Sequence, residues 1–414
     1  PLREDTLRQR PTRPGLSPCL AGNGQAALPR RGQGDLGLCG PTDDRPEGGF
    51  YATQDADSEG GEGRFFLWAR SELEDALGKR ALSFLAAYSA REEGNFEGRN
   101  ILTFVGSSES RGQLGDARRR LFSLRERRIR PGRDDKVITS WNGLMLAAFA
   151  EAARALGRDD YRRIAEASAD FVARELIGDD GRLVHTWKAG VCGPGAFLED
   201  YASLIEGLLE LYQTTFDPRW YGLARRLAGT MIGRFQAPDG GFFDTSDDHE
   251  TLIARPRSVQ DNALPSGNAM AALVLLRLAR LSEDQEMARL AEESFSLVRG
   301  LLSEHAVAFG EWLIALDDAT SPREEVVIVG DLGAPDTDAL ATTATSGYHP
   351  HRLVAIFHGD SSDQETPLFR GQERLGGRAT AHVCSGYLCH PPVSAPGALA
   401  ELLSASGTRS AGGE

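Results

Sequence analysis

The residues in this chain best placed to do chemistry are carboxylates that sit just ahead of helical sequence. Four loops carry them. Asp55 and Asp57 lie in Asp55-Ala56-Asp57-Ser58-Glu59, and Asp135 precedes Lys136 and the pair Trp141-Asn142. Glu199 and Asp200 precede Tyr201, and Asp261-Asn262 precedes Pro265-Ser266-Gly267-Asn268. Two carboxyl groups sharing a site can supply a general acid and a general base, and in glycoside chemistry their separation selects a retaining or an inverting outcome. Trp141, Tyr201 and Phe243 add stacking faces, Asn142, Asn262 and Asn268 add orienting amides, and Ser266 adds a hydroxyl. That set suits a polyhydroxylated, sugar-like ligand. The alternative for any one of these residues is structural, because Asp, Ser and Asn ahead of a helix ordinarily cap it and Asp-Gly pairs ordinarily turn the chain. Spacing along the chain does not select a catalytic pair.

The elements that must position these side chains are announced by a repeat. Gly48-Gly49-Phe50-Tyr51-Ala52-Thr53-Gln54-Asp55 returns as Gly240-Gly241-Phe242-Phe243-Asp244-Thr245-Ser246-Asp247, with a weaker echo at Asp180-Gly181-Arg182-Leu183. Apolar residues fall at helical spacing through the middle of the chain. Tyr161, Ile164 and Ala165 align with Trp220, Leu223 and Ala224, while Ser140, Asn142, Leu144 and Arg154 align with Ser266, Asn268, Met270 and Arg280. The recurring unit is a helical hairpin of roughly 60 residues, too small to bury its own apolar face, so copies must stack into an arc or toroid. In such a toroid the inner helices run parallel, their N-termini gather at one end, and the loops of 134–142, 199–201 and 261–268 converge on an acidic funnel. Helix dipoles favour carboxylates there.

Composition narrows the function. The chain has 414 residues, 41% hydrophobic, with formal net charge −14, which argues against broad nucleic-acid binding. The basic stretch 118–133 is interleaved with Leu121, Phe122 and Leu124 and reads as the solvated face of an amphipathic helix. Arg greatly outnumbers Lys, which suggests a GC-rich bacterial genome. No apolar run is long enough for a membrane span and no signal peptide is visible. Five cysteines, an odd number in a large chain, suggest a reducing cytoplasm rather than a disulfide framework. His382-Val383-Cys384 and Cys389-His390 lack a second paired knuckle, so they read as small thiols or an incidental disulfide, and no metal or cofactor is assigned. Of the histidines in the helical region, His185, His249 and His305 do not fall at equivalent repeat positions, and His185 beside Trp187 reads as a packing residue. Phosphate-binding glycine loops and nucleophile elbows are absent from the sequence.

Residues 1–47, rich in Arg, Gly and Pro and without aromatic residues, are expected to be disordered and not native coding sequence. Residues 48–320 are expected to form the hairpin region. A small α/β tail is expected over 321–404, with strands at 326–329, 353–357 and 379–384, and a frayed terminus over 405–414. Ser71-Glu72-Leu73-Glu74 predicts a capping box, and 101–105 a short strand. The fold class is mainly α, a partial (α/α)6 six-hairpin toroid with that tail.

Five ordered motifs resemble the spermatogenesis-associated, thioredoxin-domain-containing family: the block 48–59 with Phe65-Phe66-Leu67-Trp68; Asp134-Asp135-Lys136 to Ser140-Trp141-Asn142-Gly143-Leu144-Met145; Phe197-Leu198-Glu199-Asp200-Tyr201-Ala202; Pro265-Ser266-Gly267-Asn268; and 379–384 with Cys389 and Pro391-Pro392-Val393. The resemblance covers about residues 48–402. It implies an N-terminal thioredoxin-like domain followed by a six-hairpin toroid similar to those of glycosidases and sugar epimerases, and it maps no established catalytic residue. The thioredoxin-like domain and the first part of the toroid are not found in this sequence. The chain is therefore expected to be a truncated form whose uncovered hairpin face favours self-association. The functional expectation is a domain that binds or processes a carbohydrate-like small molecule, as a glycoside hydrolase or a sugar epimerase or isomerase if it is active. The alternative is a non-catalytic scaffold or partner-binding module.

Overall fold

The computed structural model of the chain describes residues 48–250, 253–357, 371–386 and 388–409. The expected disordered segment 1–47 and residues 410–414 of the expected frayed end lie outside the described residues. Two compact units are present, the first spanning Tyr51–Asp135 and the second holding residues 48–50 together with everything from Lys136 onward.

In the first unit, β1 (Thr53–Gln54) pairs antiparallel with β4 (Arg133–Asp134), and β2 (Asp57–Ser58) with β3 (Gly61–Glu62). Four short helices follow β3: α1 (Arg70–Leu77), α2 (Ala81–Ala87), α3 (Ser108–Gln113) and α4 (Gly115–Arg125). Trp68, Leu73, Phe84, Tyr88 and Leu121 form their common core. Helix α1 begins earlier than its sequence signature suggests: Glu72 Oε2 accepts from the Ala69 N–H at 2.8 Å. Alanine has no side-chain acceptor, so only that half of a capping box exists. Arg118, Arg119 and Arg120 of α4 are exposed while Ala117 and Leu121 are buried, the amphipathic division expected of the basic stretch. Residues 101–105 form no strand.

The second unit opens with β5 (Val137–Ile138), which pairs with β6 (Thr186–Lys188) and through it with β7 (Val191–Cys192). Its helices alternate between an inner and an outer row: α5 (Thr139–Leu156), α6 (Asp159–Glu175), α7 (Leu198–Thr215), α8 (Pro218–Phe235), α9 (Gly267–Ser282), α10 (Gln285–Ser294) and α11 (Gly310–Thr320). Helices α5, α7, α9 and α11 pack in succession, each of the first three against its hairpin partner as well. Nearly every residue of α7 and α9 is buried, whereas α6 and α8 bury one stripe, Tyr161, Ala165, Phe171 and Val172 in α6 and Trp220, Leu223, Ala224, Leu227 and Met231 in α8. A helix that is apolar nearly all round belongs inside, and one with a single stripe belongs outside. The result is an arc of an (α/α) toroid, mainly α as the repeat implies.

Two glycines set the spacing of the inner row. A Cβ on Gly143 would lie 2.5 Å from the Ser203 carbonyl carbon, and one on Gly207 would lie 2.6 Å from the Gly143 carbonyl oxygen. Helices α5 and α7 therefore touch backbone to backbone. Gly143→Ala is expected to cost about 1–3 kcal/mol through overpacking, read as a lowered denaturation midpoint. A wild-type midpoint would show that the two helices separate without penalty.

The tail stays in the same unit as the hairpins. Parallel strands β8 (Glu324–Val329) and β9 (Arg352–Phe357) are joined through α12 (Pro335–Thr345); β10 (Thr380–Ser385) lies antiparallel on the other side of β8, and β11 (Leu388–Cys389) forms the edge. Helix α13 (Pro396–Arg409) closes the layer. Val326, Ile328, Val354, Ile356 and Val383 pack with Leu340, Leu399 and with Phe216 from the end of α7. The three strands expected from the sequence all form. A buried ionic layer within this unit ties the C-terminal halves of the inner helices together: Arg154 to Glu210 at 2.7 Å, and Arg277 to Glu206 and Glu210 at 2.9 Å each. No helix among the described residues is long and apolar enough to cross a membrane.

Candidate functional site

The N-terminal ends of the inner helices are held by two carboxylates used in the same way. Asp200, fully buried, accepts from the Phe197 N–H at the start of α7 (2.9 Å) and from the Ser140 N–H at the start of α5 (2.9 Å). Asp261 accepts from the Ser266 N–H at the start of α9 (2.8 Å) and from the Glu311 N–H at the start of α11 (2.8 Å). Each bridges two adjacent helix N-termini, where orphan N–H groups and the positive ends of the dipoles favour an anion. Ser266 caps α9 through its hydroxyl.

Asn142 and Asn268 form a second matched pair. The Asn142 carbonyl accepts from the Phe50 N–H (2.7 Å) while its amide donates to the carbonyls of Phe50 (3.1 Å) and Ile138 (2.8 Å). The Asn268 carbonyl accepts from the Phe242 N–H (2.8 Å) while its amide donates to the carbonyls of Phe242 (3.0 Å) and Ser258 (3.2 Å). Each asparagine thus clamps one copy of the Gly-Gly-Phe turn, which explains why the turn and the asparagine recur together. At Gly241, φ is +66° and a Cβ would meet Leu297 at 2.4 Å, so the second turn admits only glycine.

Ahead of α7 and α9 lies an open cavity of about 500 Å³, whose lining includes Phe197, Glu199, Asp244, Ser258, Gln260, Asn262 and Ser266. Glu199 is the titratable group of interest. Burial pushes its pKa up, and the neighbouring Asp200 adds to the rise. Behind it, His185 Nδ1 hydrogen-bonds Asp200 Oδ2 at 2.8 Å, which raises the histidine's pKa. The imidazole also packs edge-on against Phe197, with ring centroids 4.9 Å apart. His185 itself is not part of the cavity lining and meets the site through Asp200. Asp244 accepts from both the N–H and the hydroxyl of Ser258 and so shapes the opposite wall.

Of the residues that the sequence marks as a site, Glu199, Asn262 and Ser266 line this cavity, and Asp200 lies behind Glu199. Asp55, Asp57 and Asp135 belong to the other compact unit. Asn142 and Asn268 sit in the turn clamps, and Asp261 at its two helix ends. Tyr201 is buried, its hydroxyl accepting from the Leu183 N–H at 3.1 Å. Phe243 lies against the guanidinium groups of Arg255 (4.2 Å) and Arg257 (5.7 Å), and Trp141 is half-buried in the first turn of α5. His185, Asp244 and Gln260 are not legible as site residues from spacing. Asp244 alone carries a signal, standing in the second copy of the repeated block where the first has Ala52.

No protein-family model matches the chain. It is 30% identical over 408 residues to Spermatogenesis-associated protein 20 of Homo sapiens, an alignment covering 86% of this chain and 52% of that protein. The protein of the same name from Mus musculus is 29% identical, with the same coverage. The chain therefore spans about half the length of the curated relatives it matches, and its similarity to proteins named Spermatogenesis-associated protein 20 agrees with the resemblance read from the sequence. Among solved structures, a glycoside hydrolase from family 105 of C. acetobutylicum aligns with a TM-score of 0.35 and 12% identity, over 70% of this chain and 77% of that one.

Proposed function

We propose that the cavity ahead of α7 and α9 binds a polyhydroxylated, carbohydrate-like ligand, with Glu199 as the proton donor and the Asp200–His185 pair beside it. One observation carries this reading: adjacent carboxyl groups stand in opposite environments. Asp200 is saturated by backbone N–H groups and an imidazole, while Glu199 lines the cavity with a raised pKa. A carboxyl group whose pKa is raised by burial is suited to the acid role. The volume lies within the range of roughly 300–1,000 Å³ typical of small-molecule sites, and the lining offers hydroxyl, amide and ring surfaces. The chemistry that fits is proton transfer at a sugar, as in glycosidic cleavage or isomerisation.

Glu199→Gln keeps the shape and removes the proton. Turnover of a processed sugar should fall by about 10²–10⁴-fold, with binding changed far less. A protonated Glu199 donates to a ligand oxygen, so wild-type affinity should be strongest at low pH and decline as pH rises through the raised pKa. In Glu199→Gln that decline should vanish. Calorimetric titration across a pH series decides the matter, and an unaltered pH profile in the variant would reject Glu199 as the donor.

A second reading, a binding module without turnover, is favoured by the fact that Asp200 and Asp261 are committed to helix ends. In that case Glu199→Gln changes affinity and there is no turnover to lose.

A further inference from the structure

We infer that Cys384 and Cys389 form an exchangeable disulfide, a redox site that accepts electrons from a dithiol reductant. The two cysteines are joined by a disulfide across the β10–β11 hairpin, where they are register partners. The neighbouring pair Ser385 and Leu388 is also in register, so the ladder already sets the cysteines opposite each other, and Gly386 leaves β10 with a positive φ of 61°.

That placement limits what the bond does for the fold. A disulfide stabilises chiefly by closing a loop in the unfolded chain, and the gain shrinks with loop length. Here only five positions separate the cysteines, and the hairpin is held independently. Val383 is buried in the tail core, and β10 is anchored along β8 over six register pairs and to Val393 through Ala381. A large apolar core of this kind has no need of a staple at its rim.

Access favours exchange. β11 is the outer strand of the sheet, and both Leu388 and Cys389 are exposed, whereas Cys384 is half-buried. A thiolate of the reductant attacks Cys389 Sγ. The S–S bond breaks, the electron pair leaves on Cys384 Sγ, and that sulfur takes a proton. The second thiolate of the reductant then attacks its own sulfur in the mixed disulfide and releases Cys389. The protein gains two electrons and two protons, and the dithiol becomes a disulfide.

The test uses the full chain with dithiothreitol as the reductant. Aliquots are acid-quenched and alkylated, and the state of the peptide carrying both cysteines is read by mass spectrometry, which separates it from the other cysteines. Reduction should proceed in the native protein at a rate within about tenfold of that in urea, since exchange is governed by access to the sulfur, and the thermal midpoint should barely move. Oxidised glutathione should restore the bond. With reduced glutathione, a monothiol that cannot resolve its own adduct, the mixed disulfide trapped by acid quenching of the wild-type chain should sit on Cys389 rather than Cys384. Reduction only upon global unfolding would show a structural lock and overturn the inference, and so would failure of the pair to re-form under oxidised glutathione. Glutathione found equally on Cys384 and Cys389 would refute Cys389 as the attacked sulfur.

Discussion

Asp200→Ala should lower the stability of the chain by about 3–5 kcal/mol, the scale expected when one partner of a buried charged network is removed. Its carboxylate accepts from two backbone N–H groups on different helices and from an imidazole. Alanine would leave the Ser140 and Phe197 N–H groups buried without an acceptor, and an orphaned donor costs more than the bond contributed. Asp200→Asn retains one acceptor and should lose less. The pH dependence carries a separate signature. His185 has its pKa raised by this hydrogen bond, so its contribution is fully present below the unfolded histidine pKa and is lost as pH rises through the folded value. The gap between wild type and Asp200→Ala should therefore narrow across that window. Urea midpoints on both sides of it provide the check. A variant within half a kcal/mol of wild type would show that the helix ends do not depend on this carboxylate.

Arg277→Ala should be comparably severe, again about 3–5 kcal/mol. Its guanidinium is 8% exposed and lies 2.9 Å from both Glu206 and Glu210, whose side chains are each 2% exposed, and 3.7 Å from Asp318. The cost comes from the anions left behind, because Glu206 and Glu210 stay out of water while losing the cation they share, although Glu210 keeps Arg154 at 2.7 Å. Adding Glu206→Gln to Arg277→Ala should thus recover about 1–2 kcal/mol, within the usual coupling of contacting residues. Strictly additive losses would mean that the pair does not interact. Because this layer joins α5, α7 and α9 at the end remote from their N-terminal caps, the two sets of contacts together fix the rotation and height of the inner row.

Much of that row is legible in the sequence. The alignment of Asn142 with Asn268 and the recurrence of Gly-Gly-Phe reflect one device, an amide clamping a turn, and periodicity separates the inner helices from the outer. What the sequence does not show is which atoms face each other across turns. The contact between His185 and Asp200 depends on the path of residues 177–197, and neither residue type announces it; Trp187 nearby makes His185 look like packing, and its ring does also pack on Phe197. Carboxylates ahead of helices are visible as a class, but a capping anion and a cavity-lining acid share the same pattern. Only burial and partners separate Asp200 from Glu199. Tyr201 and Phe243 illustrate the same limit, since an aromatic side chain serves as readily inside the wall as on its face.

The most direct measurement is thermal unfolding of the full chain against a panel of mono- and oligosaccharides, in parallel with Ala263→Trp. Ala263 is an exposed residue of the cavity lining, so tryptophan there should fill the site without disturbing the core. A ligand that binds only the folded state raises the midpoint with concentration. The expected result is a saturable rise with at least one saccharide in the wild type and its loss in Ala263→Trp, with the unliganded midpoints alike. An equal rise in both proteins would place the sugar elsewhere, and no rise with any saccharide would contradict a carbohydrate site in this cavity.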